Sequence, residues 1–168
     1  MTITNDEARW LYKALKQIEF LKFCSIGEIE ELAQNLVKKT FKTGETIVRQ
    51  GDPGDYLFLL YSGEVSIQAR SAISKRHELT RLGAGNYFGE MALVSREPRN
   101  ATVVATQDSE AFLLYAAEFR KLLDKNQDLA RTLEDLVARR KAARELELRR
   151  SYQQSQALLS RLKRWLGF

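Results

Sequence analysis

The stretch Tyr87-Phe88-Gly89-Glu90-Met91-Ala92-Leu93-Val94-Ser95-Arg96-Glu97-Pro98-Arg99-Asn100-Ala101-Thr102-Val103 sets a glycine, an acid and an arginine in an order that suits a small anionic ligand. Gly89 has no Cβ, so its backbone can come close to a bound molecule. Residues 90–94 suffice for one helical turn, whose first N–H groups lack partners within the helix and point at an anion. Arg99 adds a full charge and can meet a phosphate through two parallel hydrogen bonds, a charge-assisted pairing worth roughly 1.5–3 kcal/mol. Glu90 would repel that phosphate. It belongs in the same site only if the ligand also carries hydroxyl donors, as a ribose does, and sugar with phosphate describes a nucleotide.

These residues resemble the phosphate-binding cassette of the cyclic nucleotide-binding domains found in catabolite activator proteins, cAMP-dependent kinase regulatory subunits and cyclic-nucleotide-gated channels. The family motif reads Phe-Gly-Glu, two or three small or apolar residues, a short loop, then Pro-Arg-x-Ala-Thr/Ser-Val. Here it is Phe88-Gly89-Glu90-Met91-Ala92-Leu93 and Pro98-Arg99-Asn100-Ala101-Thr102-Val103. The resemblance implies a ligand site of Gly89, Glu90, Met91, Ala92, Arg99, Asn100 and Ala101. Within it, Glu90 binds the ribose 2′-hydroxyl, Arg99 the cyclic phosphate, and the backbone N–H groups of Gly89 and Ala92 the same anion. Asn100 stands where family members usually have Thr, Ser or Ala, at a position that helps separate guanine from adenine. An amide both donates and accepts, so Asn100 leaves cAMP and cGMP open; cAMP is the favoured expectation, and a cyclic dinucleotide is the wider alternative. Taken singly, Glu90, Arg99 and Gly89 would serve as a surface ion pair and a turn. Phe88, Pro98 and Ala101 around them favour the cassette.

The composition bounds the remaining chemistry. A chain of 168 residues, 44% of them hydrophobic, fits one domain with extensions. No apolar run approaches the ~20 residues that span a bilayer, and residues 1–20 lack a signal-peptide pattern. A cytoplasmic location is therefore expected. Cys24 and His77 are the single cysteine and histidine. They are too few for a cupin-type metal centre or an iron–sulfur cluster, so neither metal nor enzymatic activity is expected. A buried Cys24 and an exposed His77 on a strand are the expected placements.

Upstream of the cassette, Leu11, Ala14, Leu15 and Ile18 share one face of an amphipathic helix over residues 6–20, flanked by Trp10. Ser25 and Glu28 form a capping-box pattern before a second helix carrying Ile29, Leu32, Ala33 and Leu36. From Lys38 the chain breaks into short β-rich runs separated by turns, which predicts a sandwich or jelly roll. The spacing of Gly44-Glu45, Gln50-Gly51-Asp52 and Ser62-Gly63 also resembles the family's β-roll, and the resemblance covers roughly residues 20–140. The expected fold class is α+β, a β-roll (jelly-roll, double-stranded β-helix) flanked by N-terminal and C-terminal helices. Its expected divisions are N-terminal helices over 1–37, the roll over 38–115 with the cassette at 87–103, lid helices over 116–150, and a tail over 151–168.

Charge separates the tail from the core. Residues 1–119 hold 14 Lys/Arg against 16 Asp/Glu, whereas residues 120–168 hold 13 against 6. The resemblance to gated channels implies that an arginine of the run Arg139-Arg140-Lys141 caps the purine, with Arg140 the chosen candidate and a solvated face the plainer alternative. Residues 151–156 read as a polar hinge or weak helix. Beyond it, Leu158, Leu159, Leu162, Trp165 and Leu166 line one helical face beside Arg161, Lys163 and Arg164. A basic amphipathic segment of this kind over 157–168 suits its own domain, a second copy, an effector protein or an anionic membrane surface. Residues 141–166 contain no glycine or proline and offer no helix-turn-helix, so specific DNA binding of the catabolite-activator type is not expected. The expected function is a non-catalytic cyclic mononucleotide sensor that signals through its C-terminal helices, with the sensor region of a larger channel or enzyme as an alternative.

Overall fold

The runs Leu57-Phe58-Leu59-Leu60 and Ala111-Phe112-Leu113-Leu114 are buried at every position, not at alternate ones. A strand does this when both faces of its sheet are covered. The computed structural model describes residues 4–70, 77–94 and 97–139, with 142, 146 and 156. Among them, eight strands form two antiparallel sheets: β1 (Val37–Phe41), β2 (Thr46–Val48), β3 (Tyr56–Ser62), β4 (Glu64–Ala69), β5 (His77–Gly83), β6 (Tyr87–Phe88), β7 (Thr102–Ala105) and β8 (Ser109–Tyr115). One sheet runs β1-β8-β3-β6 and the other β2-β7-β4-β5. This is the expected β-roll. Phe58, Leu60, Ala111 and Leu113 face its interior with Phe41, Val65, Phe88 and Val103.

Leu57, Leu59, Phe112 and Leu114 face the opposite way, into a layer of helices. That layer comprises α1 (Asn5–Gln17), a 3-10 turn (Glu19–Leu21), α2 (Ile26–Gln34), α3 (Met91–Val94) and α4 (Ala116–Lys125), followed by α5 over residues 127–139. Leu11, Leu15, Phe20, Ile29, Phe119 and Leu129 are fully buried there, each such side chain contributing roughly 1.5–3 kcal/mol. No described helix is long and apolar enough to cross a membrane.

Both early helices start on capping boxes, Thr4 with Glu7 and Ser25 with Glu28. The first helix is shorter than the periodicity over residues 6–20 predicts. Ile18 adopts an extended conformation (φ −68°, ψ 122°), and the chain turns there so that Phe20 reaches the core. Its ring meets Phe119 edge to face at 5.7 Å. Asn126 joins the C-terminal helices to α2: its amide donates to Glu28 at 2.8 Å, and its Oδ1 caps α5 by accepting the Leu129 N–H at 2.9 Å. Cys24 is buried, as expected. His77 opens β5, and its side chain lies outside the described residues.

Two features make stability testable. Gly63, between β3 and β4, has φ +86°, and a Cβ there would overlap Ser109 Oγ and lie 2.5 Å from the Asp108 carbonyl oxygen. Gly63→Ala is expected to cost about 2 kcal/mol or more, a fall of roughly 5 °C or more in Tm; an unchanged melting curve would contradict this packing. Glu7 accepts a 2.7 Å hydrogen bond from Lys38 Nζ, tying α1 to β1. That bond, with the Thr4 N–H, lowers the Glu7 carboxyl from 4.5 to about 2. A depressed folded pKa gives stability that is complete above the unfolded value and lost as pH falls through the folded one. Glu7→Gln should therefore melt below the native chain at pH 7, with the gap closing between about pH 4.5 and 2; a gap independent of pH would show that the pair contributes nothing.

Candidate functional site

The backbone of Arg99 is held by a turn 47 positions upstream: its N–H donates to the Asp52 carbonyl and its own carbonyl accepts the Gly51 N–H, both at 2.8 Å. Fixed in this way, the side chain runs inward and is only 8% exposed. Nη2 donates to the Tyr56 carbonyl at 2.8 Å and Nη1 to the Gly89 carbonyl at 3.3 Å. The guanidinium carbon lies 5.7 Å from the centre of the Phe58 ring, in cation–π range. Burial pulls the Arg99 pKa below its ordinary value, against the opposing pull of Asp55 and Tyr56. The group nonetheless stays protonated, because a guanidinium does not lose its proton in a protein. Its Nε is buried and has no hydrogen-bond partner. An N–H of a desolvated cation without an acceptor is costly, and an anionic oxygen would supply one.

Gly89 follows β6, whose Phe88 stacks on Phe58 at 4.8 Å with the rings 7° from parallel. With φ +81°, Gly89 occupies the left-handed region, and a Cβ on it would lie 2.5 Å from Arg99 Nη1. Close approach is thus required here, and the neighbour that fills the space is the Arg99 guanidinium. After Glu90, which is half-buried, α3 occupies Met91–Val94 as the single expected turn. Leu93 donates its N–H to the Glu90 carbonyl at 3.0 Å and sinks into the helical layer at 1% exposure.

A cavity of about 380 Å³ opens beside these groups, within the usual size range of small-molecule sites. Gly89, Glu90, Arg99, Asn100 and Ala101 line it, so five of the residues implied by the motif converge. Asn100 is exposed. Met91 and Ala92 form the start of α3. Arg140 and the segment 157–168 lie outside the described residues, while Arg139 is an exposed residue of α5. The opposite wall is apolar: Val48, Ile67, Leu82 and Val103, one each from β2, β4, β5 and β7, with Asn86 and Tyr87 beside them. Among these, Val48, Ile67, Leu82 and Asn86 were not expected as site residues. The only signal for Val48, Ile67 and Leu82 is inward alternation in separate strands, which cannot show that they meet, and Asn86 lies in the loop before β6.

A larger groove of about 490 Å³ runs between α1 and α2. Its charged lining residues Arg9, Lys13 and Glu30 are exposed, so it lacks the convergent, desolvated polar groups of the Arg99 cavity. Burial raises the Cys24 thiol to about 11, which leaves it protonated and unreactive at neutral pH.

Known proteins share this fold. The sequence profile of the cyclic nucleotide-binding domain matches residues 38–126. The chain is similar to a cyclic nucleotide-gated potassium channel of Rhizobium etli, with 34% identity over 111 residues that cover 66% of this chain and 30% of the channel. It is also similar to the type II regulatory subunit of cAMP-dependent protein kinase from Drosophila melanogaster, with 39% identity over 92 residues, 55% of this chain and 24% of the subunit. Among solved structures, the regulatory domain of Toxoplasma gondii PKA with cAMP superposes with a TM-score of 0.66 at 27% identity, covering 80% of this chain and 49% of that one. The match thus spans 30% and 24% of the lengths of the two sequence relatives. With the β-roll, the cassette and the buried arginine in place, the chain belongs to the cyclic nucleotide-binding domain family.

Proposed function

We propose that this chain is a non-catalytic regulatory sensor that binds a cyclic mononucleotide, cAMP in preference to cGMP, in the cavity beside Arg99. The observation that carries the reading is the buried Arg99 guanidinium, which lines the cavity while its Nε has no acceptor in the protein. A cyclic phosphate supplies that acceptor and also takes the backbone N–H groups of Gly89 and Ala92. Glu90 accepts the ribose 2′-hydroxyl, which relieves its repulsion from the phosphate. The apolar wall of Val48, Ile67, Leu82 and Val103 covers the uncharged faces of the ligand, and Asn100 reads the base from the rim. The cAMP preference is supported by the cAMP in the Toxoplasma structure and the cAMP dependence of the Drosophila kinase.

Signalling runs through the C-terminal helices over residues 116–150. A ligand that binds a lid-closed arrangement more tightly than an open one shifts the population towards closure. The basic region from residue 120 onward then presents its excess of 13 Lys/Arg over 6 Asp/Glu to an effector protein or an anionic membrane surface, on a cytoplasmic protein with Arg140 near the base.

Calorimetric titration is expected to show micromolar or tighter binding of cAMP, weaker binding of cGMP, and a loss of roughly 100-fold or more in Arg99→Ala. Glu90→Ala should weaken cAMP by roughly tenfold or more, whereas a 2′-deoxy cyclic nucleotide, which leaves the repulsion from Glu90 unrelieved, should bind Glu90→Ala at least as tightly as the native chain. No heat with either nucleotide, together with no thermal shift at millimolar concentration, would overturn the sensor reading.

A further inference from the structure

Asp55 and Tyr56 present successive carbonyls to two different elements. The Asp55 carbonyl accepts the N–H of Ala116, the first residue of α4, at 2.9 Å. The Tyr56 carbonyl accepts Arg99 Nη2 at 2.8 Å. Tyr115 is the N-cap of α4, yet its side chain makes no capping hydrogen bond. It instead pairs with Tyr56 across β3 and β8, and the two rings meet edge to face at 4.7 Å. One dipeptide thus carries both the guanidinium and the start of the helix that leads into the C-terminal region.

We propose that the Tyr56–Tyr115 ring pair couples the position of the Arg99 guanidinium to the seating of α4, which makes both tyrosines positioning residues for the nucleotide site. This deepens the sensor reading and rests on it for the ligand. An anion that takes N–H groups from Arg99 competes with the Tyr56 carbonyl for the guanidinium. When that bond lengthens, the Tyr56 backbone is freed to tilt, and its ring, in close contact with Tyr115, cannot follow without displacing it. The Ala116 N–H hangs from the preceding carbonyl, so the first turn of α4 takes up the same displacement. This route is separate from the one through α3, where Leu93 joins the cassette to the helical layer. Its contacts gather at one end of the paired strands β3 and β8, where Tyr56 faces Tyr115.

The test is a double-variant cycle on the full chain without nucleotide, read by urea unfolding of the native chain, Arg99→Lys, Tyr115→Ala and the pair, with Tyr115→Phe as the ring-retaining control. Tyr115 is 39% exposed, so its truncation leaves the core intact. Independent sites change the unfolding constant multiplicatively to within about twofold. The effect of Arg99→Lys is predicted to differ at least threefold between the native and Tyr115→Ala backgrounds, and by less than that between the native and Tyr115→Phe backgrounds. A smaller difference with Tyr115→Ala, or an equal one with Tyr115→Phe, overturns the coupling. Titrating cAMP into the same samples separates the two ideas. Coupling without nucleotide binding removes the sensor reading and keeps the ring pair, whereas binding with multiplicative variants does the reverse. Where nucleotide binds, amide exchange at Ala116 should change in the native chain and lose at least half of that change in Tyr115→Ala; an undiminished change counts against the proposal.

Discussion

Arg99 carries its charge into the roll, where two carbonyls hold it: Tyr56 of β3 at 2.8 Å and Gly89, just past β6, at 3.3 Å. Desolvating a guanidinium is unfavourable, and two charge-assisted hydrogen bonds with one aromatic face offset only part of that cost. Much around it follows. The Gly51-Asp52 turn grips its backbone from both sides. Gly89 has no side chain because the guanidinium occupies the space a Cβ would fill. Phe58 lies in cation–π range of the guanidinium and stacks on Phe88. Its Nε is left without an acceptor, the feature on which the proposed anion site rests.

The sheet that carries Tyr56, with Gly89 just past its strand β6, is also the one covered on both faces. Inward residues of β3 and β8 build the roll, and their outward neighbours Leu57, Leu59, Phe112 and Leu114 seat the helices. A close-packed layer transmits displacement in place of absorbing it, which is the physical basis of the proposed link between Arg99 and α4. The other sheet lends the cavity an apolar wall and contributes no residue to the helical core. One sheet thus receives the Arg99 guanidinium at Tyr56 and seats the helices, and the other gives the cavity its apolar wall.

Local chemistry made much of this readable from residues alone. The cassette lies in one contiguous stretch, so Gly89, Glu90, Arg99, Asn100 and Ala101 could be grouped before their convergence was visible. The Ser25–Glu28 capping box and the single turn of α3 are set by neighbours three or four positions apart. The Thr4–Glu7 box went unread, although the same rule marks it. Non-local features were harder. Strand β6 has two residues, too few for any alternation, and exists because Phe88 pairs with Phe58 thirty positions earlier. The end of α1 at Gln17 is decided by the burial of Phe20 against Phe119. Val48, Ile67 and Leu82 meet at the cavity only through the sheet order β2-β7-β4-β5.

The central claim is that the Arg99 Nε–H waits for an anionic acceptor, and nitrogen-15 NMR of arginine side chains observes that group directly. The Nε–Hε resonance of Arg99, assigned by its disappearance in Arg99→Lys, should move strongly downfield in proton shift and become protected from solvent exchange on saturation with cAMP. A resonance that keeps its free-state shift and exchange rate while cAMP is demonstrably bound would contradict the account.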